Sequence, residues 1–185
     1  MWKYTPNARF FDLYIYIMLR NTTPSDAEAI ENVRIAAWRA AYQAFMPPGF
    51  LAGLDPLKNL ADLRERLSVQ SMDFSVTVAS RGPSVVAFSI LGKPRYDAPP
   101  GSIELWALNV LPDYWRQGFG KTLTEGAIGS ANSTGFKSME LWCIQGNTPA
   151  QAIYEKSGFT LTGQERISSH LTGSPLHEVL YTKKL

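Results

Sequence analysis

SIELWALNVLPDYWRQGFGKTLTEGAIGSA, residues 102–131, is the stretch from which the rest of the chain can be read. It opens with an apolar, strand-like run whose only charge is Glu104, and Pro112 follows that run. A basic turn punctuated by glycine comes next, Arg116-Gln117-Gly118-Phe119-Gly120-Lys121, and then a segment with helical spacing. Strand, glycine turn and helix together present a row of free backbone N–H groups to an anion such as phosphate. Glycine lets the backbone approach the ligand closely, and the helix start adds roughly half a positive charge. The stretch is read as an anion site.

The bulk of the sequence sets limits on that site. A chain of 185 residues fits one compact domain with a real core. Hydrophobic residues make up 45% and charged residues 18%, ordinary values for a globular protein. Lys and Arg number 18 against 16 Asp and Glu, a formal net charge of +2, so mass electrostatics supports neither a nucleic-acid nor a membrane-surface role. Any polyanion binds locally. One cysteine, Cys143, excludes an intramolecular disulfide and a multi-cysteine metal site, and His170 and His177 are not spaced as ligands on a helix; no metal is expected. The apolar run of residues 10–19 is about half a membrane span and is interrupted by Asp12. It reads as an N-terminal arm or extra strand over residues 1–18, with residues 19–185 as the single main domain and the cytoplasm as the expected compartment.

Along the chain, residues 14–20 read as an edge strand, and Thr23-Pro24-Ser25-Asp26 as a helix start, with Thr23 capping or, in another register, Ser25 with Glu28. The helix that follows carries Ile30, Val33, Ala37, Trp38 and Ala41 at three-and-four spacing, and Pro47-Pro48-Gly49 breaks it. A second amphipathic helix is predicted over residues 57–67, then strands over 74–79 and 85–91 around an Arg81-Gly82-Pro83-Ser84 turn. After the central stretch come a helix over 120–131, a strand over 139–144, a short helix over 150–156 with Thr148 as cap and Gly158 as stop, and strands over 159–162 and 178–182. The predicted order is one strand, two helices, three strands, helix, strand, helix and two strands.

Three fragments then combine: Leu108-Asn109-Val110-Leu111-Pro112, Arg116-Gln117-Gly118-Phe119-Gly120, and Asn147-x-x-Ala150-x-x-x-Tyr154-x-x-x-Gly158-Phe159. In that succession the chain resembles the GCN5-related N-acetyltransferase (GNAT) superfamily, from Leu19 to Leu185. The resemblance implies an α/β (α+β) fold. It has a mixed, mostly antiparallel sheet of about six to seven strands, splayed between its two central strands and flanked by about four helices. It also implies acetyl-CoA as cosubstrate. The diphosphate falls on the backbone amides of residues 117–121, with Arg116 and Lys121 as supplementary cations. Trp115 stands where the family usually has Gln or Arg. Pantetheine falls along Leu108, Asn109 and Val110, with Val110 as the main-chain contact. Asn147 and Ala150 match cofactor positions in the second motif, and Tyr154 matches the tyrosine beside the coenzyme sulfur.

A tyrosine with an ordinary pKa near 10 is protonated at neutral pH and can protonate a leaving thiolate. Transfer to an amine also needs the amine unprotonated, and Glu104 is the candidate base, directly or through water. Trp38 and Tyr42 are candidate acceptor contacts as well as candidate core aromatics. The expected function is therefore an acetyl-CoA-dependent N-acetyltransferase acting directly on a primary amine, a small molecule or a peptide, with a homodimer through the aromatic arm as an option. The alternative is a non-catalytic acyl-CoA-binding module on the same scaffold. A nucleoside-triphosphate enzyme is disfavoured, because Gly118-x-Gly120-Lys121 is too short for the phosphate loop G-x-x-x-x-G-K-S/T. Cys143, in an apolar strand, is expected to be an inert core thiol.

Overall fold

The computed structural model describes residues 17–69, 71 and 74–185. Strand β1 (Met18–Asn21) leads through a 3₁₀ turn (Pro24–Asp26) into α1 (Ala27–Ala41), α2 (Pro48–Ala52) and α3 (Leu60–Ser68). Strands β2 (Phe74–Arg81), β3 (Ser84–Gly92) and β4 (Ser102–Val110) follow, then a 3₁₀ turn (Pro112–Tyr114) and α4 (Phe119–Ser133). The chain finishes with β5 (Ser138–Ile144), α5 (Thr148–Lys156), β6 (Thr160–Ser168) and β7 (Leu176–Lys184). The expected order holds with one addition. Pro48 starts the short helix α2, its ring sitting at a helical position where no N–H is needed, so the proline pair is a helix start as well as a break. The N-terminal strand is described from Met18 onward, one residue inside the expected arm. The rest of the arm and its strand lies outside the described residues.

The start of α1 follows the Thr23 register. The Thr23 N–H donates to Asp26 Oδ2 at 2.8 Å, and Arg20 grips the same carboxylate with two bonds, 2.7 and 2.8 Å. The arginine's hydrogen bonds bring the Asp26 pKa down to about 2. This clamp fastens β1 to the first helix.

All seven strands form one sheet in the order β1-β2-β3-β4-β5-β7-β6. Every neighbouring pair is antiparallel except β4 and β5. That parallel pair is short: Ser102, Ile103 and Glu104 lie opposite Ser138, Met139 and Glu140, and pairing stops there. Beyond it β4 continues on β3 alone, to Val110, and β5 continues on β7 alone, to Ile144. The sheet therefore opens into a V whose apex is Glu104 and Glu140. Backbone groups on the facing edges of the V lack strand partners, a condition that demands a ligand or water.

A bulge helps to open it. Ile90 pairs with Ala107 but Leu91 with Leu105, so Trp106 is the extra residue. Its indole lies across Gly92, where an added Cβ would sit 2.2 Å from the ring, and its Nε1 donates to the Lys93 carbonyl at 2.9 Å. Gly92 is thus required by close approach.

Both faces of the sheet are covered. On one, Ile103, Leu105, Met139, Leu141 and Cys143 pack with Ala127 and Ala131 of α4 and Tyr154 of α5. On the other, α1 and α3 lay Ile30, Val33, Leu60 and Leu67 over Val76, Val78 and Phe88. Strand alternation sends Glu140, Trp142 and Ile144 to this second face, and Ile144 packs there with Met46, from the turn between α1 and α2, and with Leu51 of α2.

Candidate functional site

The turn between β4 and α4 is built by its side chains as much as by its glycines. Trp115, at the position where the sequence departs from the usual pattern, donates its indole N–H to the Val110 carbonyl at 2.7 Å and pins the turn to the strand end. Gln117 donates to the Asp113 carbonyl at 2.7 Å. Arg116 and Gly118 hold left-handed conformations, φ 60° and 92°, the second at no cost because glycine has no Cβ. These two reversals aim the backbone N–H groups of the turn outward. The first bond of α4 runs from the Thr122 N–H to the Gly118 carbonyl at 2.9 Å, and the N–H groups of residues 116–121 have no backbone acceptor among the described residues. A row of donors without acceptors, at the positive end of a helix of 15 residues, is the fit a diphosphate requires.

Gly120 turns toward the V. An added Cβ there would come within 3.0 Å of Ile153 Cδ1 on α5 and 3.9 Å of Leu108 Cδ2 on β4, so glycine keeps a close approach between three elements. The other predicted members of the turn divide. Phe119 is 1% exposed and edge-on to Tyr114 at 5.5 Å, so its side chain is core and only its N–H is on offer. Lys121 is exposed and pairs with Glu125 at 3.6 Å, one helical turn on. Arg116 is exposed and carries no ion pair among the described residues, leaving its charge available to an anion. The Val110 carbonyl is taken by Trp115, which leaves the N–H as the open main-chain group to consider there. Leu108 is half-buried on the α4 side, and Asn109 is buried.

On the far side of the V, Asn147 is the N-cap of α5, one residue earlier than the predicted Thr148. Its carbonyl accepts from the Ala150 N–H at 3.1 Å and the Gln151 N–H at 3.0 Å. Its side-chain amide makes no hydrogen bond within the described residues. Ala150 sits at the rim of the core, and one turn later comes Tyr154. The Tyr154 ring is 8% exposed, packed edge-on against Phe159 at 6.0 Å and near Tyr181 at 6.3 Å. Its hydroxyl also makes no hydrogen bond there, yet it is absent from the fully enclosed, unbonded groups, of which Trp142 Nε1 is the sole described example. The hydroxyl therefore reaches accessible space. Burial, with smaller contributions from Cys143 and Tyr42, raises its pKa, so it stays protonated well into alkaline solution.

Glu104 stands at the apex of the V with none of its surface exposed. Arg95 holds it: the backbone N–H donates to Oε2 at 2.8 Å and the guanidinium to Oε1 at 2.6 Å. Glu140 lies beside it on β5, buried, and receives the Tyr96 hydroxyl. Sequence reading missed Glu140; its only local signal is a charge inside the apolar run Met139-Glu140-Leu141-Trp142-Cys143. Burial raises its pKa.

Trp38 and Tyr42 come together at 5.8 Å, edge to face, and Trp38 also stacks near Phe50 at 6.5 Å and under the Arg34 guanidinium at 4.8 Å. Both rings pack at the edge of the Met46, Leu51, Ile144 and Leu176 cluster, on the face opposite α4 and α5. Burial pushes the Tyr42 hydroxyl up to about 12. Next to this cluster a cavity of about 290 Å³ is lined by Ala44, Phe45, Ile144, Gln145, Pro175, Leu176 and His177. The predicted residues thus fall on two faces. The turn, Leu108, Asn147, Ala150 and Tyr154 lie toward α4 and α5, while Glu104, Trp38 and Tyr42 lie on the opposite side of the opening. Among the described residues no group of His, Cys, Asp and Glu could hold a metal ion, and no helix is long and apolar enough to cross a membrane.

Known proteins share this fold. A protein of Mycobacterium tuberculosis described as a probable N-acetyltransferase, Rv2775, is 26% identical over 165 residues, covering 89% of this chain and 92% of its own. The PaiA N-acetyltransferase of Thermoplasma acidophilum, solved in complex with coenzyme A, superposes with a TM-score of 0.73 at 20% identity, over 91% of this chain and 99% of that one. The ribosomal-protein-alanine N-acetyltransferase of Brucella melitensis superposes with a TM-score of 0.71 at 22% identity, over 91% and 99%. The model of the Acetyltransferase (GNAT) family matches residues 35–159, which run from α1 through the glycine turn and α5 to Phe159. The chain belongs to the acetyltransferase (GNAT) family.

Proposed function

We propose that the chain transfers the acetyl group of acetyl-CoA directly to a primary amine, with both substrates bound together. Acetyl transfer is the reaction class of its family. One observation carries the finer reading: the outward N–H row at α4 and the accessible Tyr154 hydroxyl, unbonded among the described residues, flank the same opening between β4 and β5. An extended ligand with a diphosphate at one end and a thioester at the other fits that geometry. The acetyl-CoA thioester supplies the activated acyl group.

This chain's residues supply the rest. Amides of residues 117–121 hold the diphosphate, with Arg116 as a supplementary cation. The open edge of β4 along Leu108, Asn109 and Val110 pairs with the two amides of pantetheine as a short added strand would. Asn147 offers its free side-chain amide to the same ligand. Tyr154 donates its proton toward the departing sulfur. The burial that raises the tyrosine pKa also raises that of a thiol in the same desolvated space, so the proton transfer need not run uphill. The acceptor amine approaches from the α1 and α2 face, beside Trp38 and Tyr42, where Glu104 closes the apex. Held by Arg95, Glu104 is spoken for as an acceptor, and its part is to fix the charge pattern at the apex or to relay a proton through water.

Replacing Gly118 with Val tests the cofactor grip. Coenzyme A affinity should collapse while the melting temperature falls only by the strain of a branched residue in the left-handed region, about 1–2 kcal/mol. Among the described residues, the only neighbour an added Cβ would meet is Ile17 Cδ1 at 3.7 Å, an ordinary contact, so they give the fold no steric reason to fail. Unchanged affinity would sink this account of the turn.

A further inference from the structure

The open arm of β5 ends at Ile144, and on the α1 and α2 side of that point lies the cavity of about 290 Å³. Its walls come from three places far apart in sequence. Ala44 and Phe45 belong to the turn between α1 and α2, Ile144 and Gln145 to the end of β5, and Pro175 and Leu176 to the entry into β7. The Phe45 ring reaches across to Gly146, where an added Cβ would sit 3.5 Å from Cε1, so the first turn closes over the second. Ile144 and Leu176 are shared with the buried cluster of Met46 and Leu51, which fixes that wall.

Size and charge restrict what the cavity takes. Benzene fills an engineered cavity of about 150 Å³, so this volume holds one ring with a short chain. Pockets for drug-sized ligands begin at about 300 Å³, which places this one at the small end. No Asp, Glu, Lys or Arg lines it. The acid closest along the ladder is Glu178, opposite Ile144, and Arg166 holds that carboxylate at 2.7 Å. A second cation on a ligand would find no free counter-charge there and would lose its water, whereas an apolar group gains by leaving water.

The cavity also adjoins the opening. The Asn147 N–H, at the start of α5, donates to the Ile144 carbonyl at 3.0 Å, so the cavity wall is tied to the helix that carries Tyr154. Tyr42 packs at the edge of the same apolar cluster, and its hydroxyl is neither enclosed nor bonded among the described residues. It is near enough to Tyr154 to contribute to the raised pKa of that group. Cavity, Tyr42 and Tyr154 form one path from the α1–α2 turn to the opening.

We infer that this cavity holds the body of the acceptor and sets its class: a primary monoamine carrying one aromatic or branched apolar group on a short chain, with its nitrogen beside Tyr42. This rests on the acetyltransferase reading and adds the acceptor's chemistry to it. An arylalkylamine is the simplest such substrate, and polyamines are excluded by the uncharged walls. The transfer balances. The ammonium gives one proton to water, the free amine forms the C–N bond as the C–S bond breaks, and the products are the N-acetyl amine and coenzyme A thiol, with one proton released.

The probe is 2-phenylethylamine, titrated calorimetrically into protein saturated with coenzyme A, which binds but cannot react. It should bind at least about tenfold more tightly than ethylamine, which lacks the ring, since a single methylene in an apolar pocket is worth about that much. Spermidine should bind no better than ethylamine. Ala44→Phe fills the cavity from an exposed position, so it leaves the core undisturbed, as a melting curve will check. It should weaken 2-phenylethylamine by about tenfold or more while ethylamine and coenzyme A stay within about twofold of wild type. Ala44→Ser, which fills nothing, should bind all three as wild type does. If 2-phenylethylamine binds no better than ethylamine, or binds Ala44→Phe as it binds wild type, the inference is overturned. Thiol release with spermidine but not with 2-phenylethylamine also overturns it and leaves the acetyltransferase reading standing. A protein that binds 2-phenylethylamine in the cavity but acetylates no amine supports the site and removes that reading, so the two fail separately.

Discussion

Tyr154→Phe separates chemistry from architecture because the hydroxyl is structurally idle. It makes no hydrogen bond within the described residues, and the ring contacts with Phe159 and Tyr181 survive the loss of one oxygen. No partner is left unsatisfied, so the stability change should lie within about 0.5 kcal/mol, a shift of roughly 1–2 °C for a chain of this size. The catalytic loss should be far larger, because a positioned general acid contributes about 10²–10⁴ in rate. That range corresponds to about 3–5 kcal/mol of barrier, several times the structural effect. The assay has three parts: a melting curve, calorimetric titration with coenzyme A, and thiol release from acetyl-CoA at saturating amine. Melting and coenzyme affinity should stay near wild type while kcat falls by at least about a hundredfold. Since burial raises the Tyr154 pKa, the acid form persists and kcat should show no basic limb below about pH 10. Equal losses in kcat and coenzyme affinity would refute the acid role, and so would a melting loss of many degrees.

Three further outcomes follow from other parts of the molecule. Trp115→Phe removes the bond to the Val110 carbonyl and should destabilise by about 1 kcal/mol while loosening coenzyme A binding, measured by melting and calorimetry. Asp26→Asn tests the clamp by pH. The Asp26 pKa is depressed when folded, so its contribution is present above the usual carboxylate range and is lost as pH falls toward about 2. The gap between wild type and variant should be about 1 kcal/mol near neutrality, less than the full shift implies because the Arg20 side chain is 42% exposed, and should close in acid. Cys143, buried and with its thiol pushed up to about 12 by burial, should resist maleimide at neutral pH in the native protein and label promptly in denaturant. Rapid native labelling would contradict the burial.

The fold, with the glycine turn and the short helix α5 that flank the opening, was largely legible because its signals are local. Glycine at 118 and 120, proline at 112 and 149 and the apolar runs of the strands each report a turn, a helix start or a strand within a few residues. The Asn147 to Gly158 motif lies on one short helix and its caps, where spacing translates directly into one face. The apex of the V was not legible in the same way. Glu104 and Glu140 are 36 positions apart, and only the parallel register brings them side by side. Read alone, Glu104 is a candidate base, directly or through water; the loop that supplies Arg95 and Tyr96 assigns the two carboxylates different surroundings. Trp115 is a similar case. In sequence it is a break in a pattern, whereas in three dimensions its indole finds a strand carbonyl five residues back and stiffens the turn. Helix α2 was hidden because Pro47-Pro48-Gly49 signals both a stop and a start, and only packing of Leu51 against Ile144 decides for a new helix.

Thiol release tests the central claim most directly. Purified protein, saturated with acetyl-CoA, is offered a broad panel of primary amines that includes amino alcohols, amino carbonyl compounds and short peptides with free N-termini. Free thiol should appear with at least one of them, in step with one acetylated amine per thiol, and should vanish with Gly118→Val. Coenzyme A binding without thiol release for any amine would contradict the account and leave a binding module in its place.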